Sequence, residues 1–109
     1  RYKQIFSVLQ KIAPFPIEKL HRIGGGSRNN LLSQFTCNAV GVPVMAGPSE
    51  GTAIGNIMLQ AKANGLVNDI AAMRRLISTS VETVSFEPQN TTQWEEAYHK
   101  YLACYREDI

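Results

Sequence analysis

Two short apolar segments, each followed by glycine and then by a stretch with helical spacing, constrain the fold of this chain most. Residues 19–23 lead into Gly24-Gly25-Gly26 and residues 29–40, and residues 42–46 lead through a turn into residues 48–64. The apolar residues of the two longer stretches recur at helical spacing. Strands that alternate with helices of this length are typically parallel and joined by right-handed crossovers. The order predicts an α/β fold in which helices cover short parallel strands.

Three more helices are predicted outside these two units. Residues 2–13 carry one apolar stripe, and Asp69 is a suitable N-cap for a helix that runs to Ile77. Thr92-Gln93-Trp94-Glu95 matches a capping box at the start of the last helix. Phe86-Glu87-Pro88 is predicted to be extended, and only two strands are identified. The predicted order is helix, strand, helix, strand, helix, helix, helix.

The apolar positions of these helices predict which sides are buried. Pro48 is placed in the first turn of the second crossover helix, and Gly41 and Gly65 follow the ends of the two crossover helices. Gly55 costs about 1 kcal/mol relative to Ala inside a helix, which predicts close packing against the sheet or the glycine turn. The residues expected to face inward are Leu31, Leu32, Phe35 and Ala39, then Ala53, Ile54, Ile57, Met58 and Ala61, then Ile70, Met73 and Ile77, and finally Trp94, Ala97, Tyr98, Tyr101, Leu102 and Tyr105.

The predicted sheet is incomplete. A parallel pair of strands normally lies inside a larger sheet that helices cover on both faces. The chain begins with Arg1 rather than Met, and we expect it to be part of something longer. Alone, it is expected to expose a strand edge and an apolar sheet face.

Composition excludes several classes of protein. A net charge of +2, with 44% apolar and 18% charged residues, predicts a globular domain and no nucleic-acid or membrane partner. No apolar run approaches the length of a membrane helix. Cys37 and Cys104 have neither Cys-x-x-Cys spacing nor companion histidines, so no metal site is predicted. Two cysteines also make no disulfide scaffold, and we expect a cytoplasmic protein with free thiols.

The chemistry of the sequence is concentrated in the glycine run at residues 24–26, which follows a strand and opens a helix. Such a turn lets a ligand approach the backbone, and the helix N-terminus offers N–H groups that suit phosphate. The Lys-Ser/Thr of a P-loop is missing, and Asn29 stands where the dinucleotide fingerprint requires its third glycine. The local sequence therefore fits a phosphate site and, equally, a glycine turn in which Ser27 or Asn29 caps a helix.

Two longer blocks, residues 23–35 and residues 41–56, have a more specific pattern. Phe86-Glu87-Pro88, at its distance from them, adds a third feature. The features within the blocks are the triple glycine followed by a polar residue and Asn, Leu31-Leu32 with Gln34, Gly41-Val42-Pro43-Val44, Ala46-Gly47-Pro48-Ser49-Glu50 and Ala53-Ile54-Gly55-Asn56. Together they resemble the C-terminal part of the FGGY family of sugar kinases.

The resemblance implies an actin-like, ribonuclease H-like ATPase fold, with residues 1–109 as the C-terminal part of the second, nucleotide-side domain. It implies a kinase that binds ATP and a ketose sugar between two domains and, with Mg²⁺, transfers the γ-phosphate. Within the family, the resemblance of residues 46–50 implies L-rhamnulose as the substrate and L-rhamnulose 1-phosphate as the product, in L-rhamnose catabolism. In the family the glycine loop lies near the α-phosphate and ribose of the nucleotide. The implied nucleotide-binding residues are Gly24, Gly25 and Gly26, with Gly25 foremost, followed by Ser27 and Asn29.

The catalytic residues of the family have no counterpart in this sequence. The catalytic Asp lies in an upstream motif, and neither Asp69 nor Asp108 matches its position. No catalytic residue and no metal ligand are assigned, and the chain is expected to be inactive alone. Two alternatives stay open: another FGGY kinase, for xylulose, fuculose or glycerol, and a non-catalytic nucleotide-binding module.

Overall fold

A computed structural model of the chain describes residues 1–105, and Asp108 lies outside the described residues. These residues form five α-helices and three short strands. A short 3-10 helix, Gly25–Arg28, joins the first strand to the second α-helix. The elements are α1 (Tyr2–Ile12), β1 (Leu20–Arg22), α2 (Asn30–Val40), β2 (Val44–Ala46), α3 (Gly51–Ala63), α4 (Ile70–Ser80), β3 (Val84–Phe86) and α5 (Thr91–Cys104).

The three strands form one mixed sheet in the order β1-β2-β3. β1 and β2 are parallel, with Leu20 opposite Val44, which confirms the predicted parallel pair. β3 is antiparallel to β2, with Phe86 opposite Val44. The sequence predicted extended chain near β3 but no third strand. Three residues carry too little alternation to identify a strand, and only its pairing with β2 makes it one.

One face of the sheet packs against α2. Val44 and Ala46 of β2 are buried there, and Arg22 at the end of β1 reaches Ser33 of α2. The residues on the opposite face are His21, Met45 and Ser85, which lie side by side in the register of the three strands. His21 and Ser85 are exposed, so this face is largely polar and the prediction of an exposed apolar sheet face is wrong.

The buried side of α2 is polar. Leu31 and Phe35, predicted to be inside, are 64% and 42% exposed. The helix instead buries small and hydrogen-bonding side chains against the sheet, because their polar atoms find partners there. The Cys37 thiol, for example, donates to the Phe86 carbonyl of β3 at 3.3 Å, whereas the Thr36 hydroxyl donates to the Leu32 carbonyl of the same helix at 2.8 Å. The buried residues of α2 are Ser33, Thr36, Cys37 and Asn38.

The apolar side of α2 faces α1 and α5 rather than the sheet. Phe35 lies beside Trp94 of α5, with 5.2 Å between the ring centroids. The predicted aromatic stripe of α5 is half-buried and meets α1, where the Tyr101 hydroxyl lies 3.3 Å from Oε1 of Gln4. The aromatic residues therefore pack within the chain, as their helical spacing predicted, whereas Ala97 and Leu102, predicted on the same face, are exposed.

The last helix begins two residues earlier than the predicted N-cap Thr92 implies. Asn90, with a φ of 52°, precedes the first helical residue, Thr91, and makes no side-chain cap hydrogen bond. Thr92 therefore lies inside α5, and the predicted capping box is wrong. Glu95 forms an ion pair with Lys3 of α1, and this long-range partner takes the place of the local one.

α3 begins at Gly51, so Pro48 belongs to the preceding turn and not to the first turn of the helix. Gly51 is needed at this point, because a β-carbon there would lie 2.5 Å from Cγ2 of Ile23. A β-carbon on Gly55 would meet nothing within 4 Å, so the close packing predicted for Gly55 is absent among the described residues. Met58 is buried, as predicted, whereas Ile57 is exposed.

α4 starts as predicted. Oδ1 of Asp69 accepts a hydrogen bond from the Ala72 N–H at 2.7 Å, which confirms Asp69 as the N-cap. Met73 is buried, but Ile70 is 56% exposed, contrary to the prediction for that position. The whole described chain is elongated, with extents of 55 × 28 × 26 Å. Much apolar side-chain surface consequently remains exposed, including that of Leu9 and Ile12 on α1.

Candidate functional site

The two loops that follow the parallel strands lie next to each other. Gly47 directly follows β2, and its N–H donates to the carbonyl of Arg22, the last residue of β1, at 2.8 Å. The Gly24 N–H donates to the Pro48 carbonyl at 3.0 Å, which extends the pairing beyond the strands. Open α/β sheets bind ligands in the crevice outside the carboxyl ends of parallel strands. This edge of the sheet is therefore the candidate site.

The glycine turn, residues 24–29, forms one side of this crevice. Gly24 has a φ of +93°, a conformation that L side chains rarely adopt, and it redirects the chain out of β1. The Ser27 N–H then donates to the Gly24 carbonyl at 3.0 Å and the Asn29 N–H to the Gly26 carbonyl at 3.1 Å. These bonds fix a compact 3-10 turn that leads directly into α2.

The outer surface of the turn offers unused backbone donors. Gly25 and Gly26 are exposed, and within residues 1–105 their N–H groups donate to no acceptor. A β-carbon at Gly24 or Gly25 would meet nothing within 4 Å, so the space in front of them is open. Free N–H groups in an open turn can bind anionic oxygens such as those of a phosphate.

Asn29 and Ser27 are arranged differently from the glycines. Oδ1 of Asn29 accepts from the Leu32 N–H at 3.0 Å, so Asn29 is the N-cap of α2. This outcome confirms the capping role predicted for Asn29. Ser27 is only 6% exposed, and its hydroxyl makes no cap bond to any residue that the structure describes. A ligand at the surface of the turn would meet Gly25 and Gly26 before Ser27.

Two arginines at the turn were not identified from the sequence. Nη2 of Arg28 donates to Oγ of Ser49 at 3.1 Å and lies 3.8 Å from Oε1 of Glu50, linking the two loops. Both charged side chains are 72% exposed, so the ion pair contributes little stability. The half-buried Arg22 lies behind Gly26. Arg22 alternates with His21 and shares a sheet face with the apolar Leu20. A charged residue at such an inward position was the signal that could have identified Arg22 as a candidate site residue.

Within residues 1–105, one carboxylate lies at this crevice, that of Glu50, and no cluster of metal ligands does. Asp69 caps α4, and its carboxylate is engaged there. Across residues 1–105, no three His, Cys, Asp or Glu side chains are close enough to hold a metal ion. The same residues contain no helix that is both long and apolar enough to span a membrane. The arrangement offers free backbone N–H groups to an anionic ligand, and the Glu50 carboxylate beside it is paired with Arg28.

A separate apolar cavity lies between α1, α2 and α5. Its volume is about 280 Å³, and Leu32, Phe35 and Trp94 are among the residues that line it. None of the residues of the glycine turn belongs to it. The cavity is consequently a packing feature of the three helices and not an extension of the candidate site.

Comparison with known proteins decides the family of the chain. The sequence profile of the C-terminal domain of the FGGY family of carbohydrate kinases matches residues 1–64. The chain belongs to this family. The matched residues include the glycine turn, both parallel strands and α3, so the candidate site of this FGGY chain lies entirely within the matched part.

Several curated relatives of the FGGY chain carry the name rhamnulokinase. A protein of Bacteroides thetaiotaomicron is 53% identical over 97% of this chain and 22% of its own length. A protein of Lactiplantibacillus plantarum is 37% identical over 93% of this chain and 21% of its own length. A protein of Pectobacterium atrosepticum is 32% identical over 94% of this chain and 21% of its own length. The FGGY chain thus spans about one fifth of the length of the curated relatives it matches.

Proposed function

We propose that the whole protein is an ATP-dependent sugar kinase that phosphorylates the 1-hydroxyl of L-rhamnulose, a step of L-rhamnose catabolism. The observation that carries this proposal is the 53% identity to a rhamnulokinase over 97% of the chain. The block at residues 46–50 supports the same subgroup. The product would be L-rhamnulose 1-phosphate, with ADP released.

We propose that residues 1–109 form the C-terminal part of the second domain of this kinase, with the actin-like, ribonuclease H-like fold of the family. The mixed sheet of three strands is compatible with an outer portion of a larger sheet. Further chain would then cover the open sheet face at His21 and Ser85 and the exposed stripe of α1. ATP and the ketose would bind between this domain and the preceding one.

Within that enzyme the glycine turn is proposed to hold the nucleotide. The free N–H groups of Gly25 and Gly26 point to contacts with phosphate or ribose oxygens near the α-phosphate, and Gly24 shapes the turn. Asn29 contributes by capping α2, which fixes the turn, and Ser27 packs beneath it. Phosphoryl transfer depends on such positioning, since its transition state needs charge stabilisation and an in-line attack.

Mg²⁺ would neutralise charge on the ATP phosphates. The residues of this chain bind and orient the nucleotide, while the base that accepts the sugar proton must come from elsewhere in the whole protein. Asp69 is held by its cap bond to Ala72. We therefore expect residues 1–109 alone to transfer no phosphate.

The test is ADP release by the whole protein with ATP and Mg²⁺, in the presence of L-rhamnulose, L-fuculose, D-xylulose or glycerol. Preference for L-rhamnulose is the expected result. Preference for another of these substrates would overturn the subgroup and keep the kinase. ATP binding without turnover of any of them would make the chain part of a non-catalytic nucleotide-binding module.

A further inference from the structure

The side chain of Arg22 lies directly behind the glycine turn. It leaves the end of β1 on the face that packs against α2, and Nη1 donates to Oγ of the fully buried Ser33 at 3.3 Å. Nη2 is 3.3 Å from the position that a β-carbon on Gly26 would occupy. The absence of a side chain at Gly26 is what lets the guanidinium approach the turn this closely.

The charge of Arg22 is not neutralised within the described chain. No carboxylate of residues 1–105 lies within 4.0 Å of its guanidinium, although the side chain is half-buried. Removing a cation from water without a counter-ion is costly, and a bound anion would offset that cost. Ser33 is a neutral hydroxyl, so it orients the guanidinium and leaves its charge available.

We propose that Arg22 is a positioning residue for the nucleotide, which holds Gly26 in place and directs positive charge toward the phosphates bound at the glycine turn. This inference rests on the proposed function, since it assumes that the turn binds ATP. The guanidinium acts from behind the turn, through the backbone of Gly25 and Gly26, and adds to the attraction of their N–H groups. It therefore selects for the charged part of the nucleotide and not for the base or ribose.

The experiment compares binding of ATP and of adenosine to the whole protein by calorimetry. Arg22→Gln keeps a donor for Ser33 but removes the charge, and Arg22→Lys keeps the charge without the guanidinium. Arg74→Gln, at an exposed position of α4, is the matched control. We expect Arg22→Gln to weaken ATP binding about tenfold and to leave adenosine binding unchanged, with Arg22→Lys close to the wild type.

Equal loss of ATP and adenosine binding in Arg22→Gln would overturn the inference, because it would indicate a purely structural role. The inference would also be overturned if Arg22→Gln bound ATP as tightly as the control Arg74→Gln does. If Arg22→Gln does not fold, Arg22→Met, which removes both the charge and the donor to Ser33, is compared with Ser33→Ala, which removes only that hydrogen bond. Failure of the wild-type protein to bind ATP at all would overturn the proposed function itself, which separates the two conclusions.

Discussion

Oδ1 of Asn38, on the buried side of α2, accepts a hydrogen bond from the backbone N–H of Gln89 at 2.8 Å. The same oxygen accepts from Nε2 of Gln34 at 2.8 Å, and Nε2 of Gln34 also donates to the Glu87 carbonyl at 2.9 Å. The loop between β3 and α5 is thereby held against the helix that begins at the glycine turn. Two amide side chains, and not apolar contacts alone, connect the edge of the sheet to α2.

Removing the Asn38 side chain is predicted to destabilise the protein. Asn38→Ala leaves the Gln89 N–H without its acceptor in a site where Asn38 is 6% exposed, which costs about 1–3 kcal/mol. Chemical denaturation measures the change in the free energy of unfolding. Asn68→Ala, at an exposed loop position, is the control and is expected to change it little. Equal effects of both substitutions would contradict the structural role of Asn38.

A side chain at Gly25 is predicted to interfere with the nucleotide and not with the fold. A β-carbon there meets nothing within 4 Å and the φ of Gly25 is not positive, so Gly25→Val should fold normally. It should raise the KM for ATP by about tenfold or more, through crowding of the ligand, and the KM for sugar much less. Steady-state kinetics of the whole protein measure both constants. Gly55→Ala, also in open space but on α3, is the control. An unchanged KM for ATP in folded Gly25→Val would remove the turn from the nucleotide site.

The two cysteines are predicted to differ in reactivity toward a thiol reagent. Burial raises the pKa of the Cys37 thiol, and the negative charge of Glu87 raises it further. Cys37 is 0% exposed, whereas Cys104 is exposed at the end of α5. Since the thiolate is the reactive form, the folded protein should be modified at Cys104 and protected at Cys37. Mass spectrometry after alkylation identifies the site, and denaturant should expose both thiols. Rapid native modification of Cys37 would contradict this packing.

The contact between α1 and α5 is predicted to weaken in acid. The hydrogen bond from Lys3 holds the pKa of Glu95 below its ordinary value of 4.5. A carboxyl with a lowered pKa stabilises the folded state above that ordinary value, and this contribution is lost as the pH falls through the folded pKa. Glu95→Gln should therefore lower the Tm slightly at neutral pH and have no effect in strong acid. The difference in Tm between the wild type and Glu95→Gln, followed from pH 7 downward, measures the contribution of Glu95. A difference that does not change with pH would contradict the prediction.

The match between sequence and structure is best where a few neighbouring residues decide the outcome. The Asn29 and Asp69 caps and the left-handed Gly41 at the end of α2 are set by hydrogen bonds and backbone angles within one turn. The parallel arrangement of β1 and β2 follows from the helix between them, because a chain of that length returns in the same direction. The resemblance that identified the family is likewise a property of the sequence.

Other features depend on partners far away in the chain. β3 is a strand only because β2 lies beside it, and α2 buries Ser33 and Asn38 because Arg22, Gln34 and Gln89 supply hydrogen bonds. No periodicity in the sequence contains that information, since a polar residue is predicted to be exposed until its partner is known.

The glycine turn shows the same division. The sequence predicted a glycine turn between β1 and α2 that could bind an anion, because glycine spacing and a helix start are local. Only the tertiary structure decided that Gly25 and Gly26 keep their N–H groups free, while Asn29 is engaged as a cap and Ser27 is buried. It also placed Arg22 behind Gly26. The physical reason is that a polar group is free to bind a ligand only if no neighbouring group already pairs with it or buries it. Those neighbours are often residues distant in sequence, which only the fold brings together.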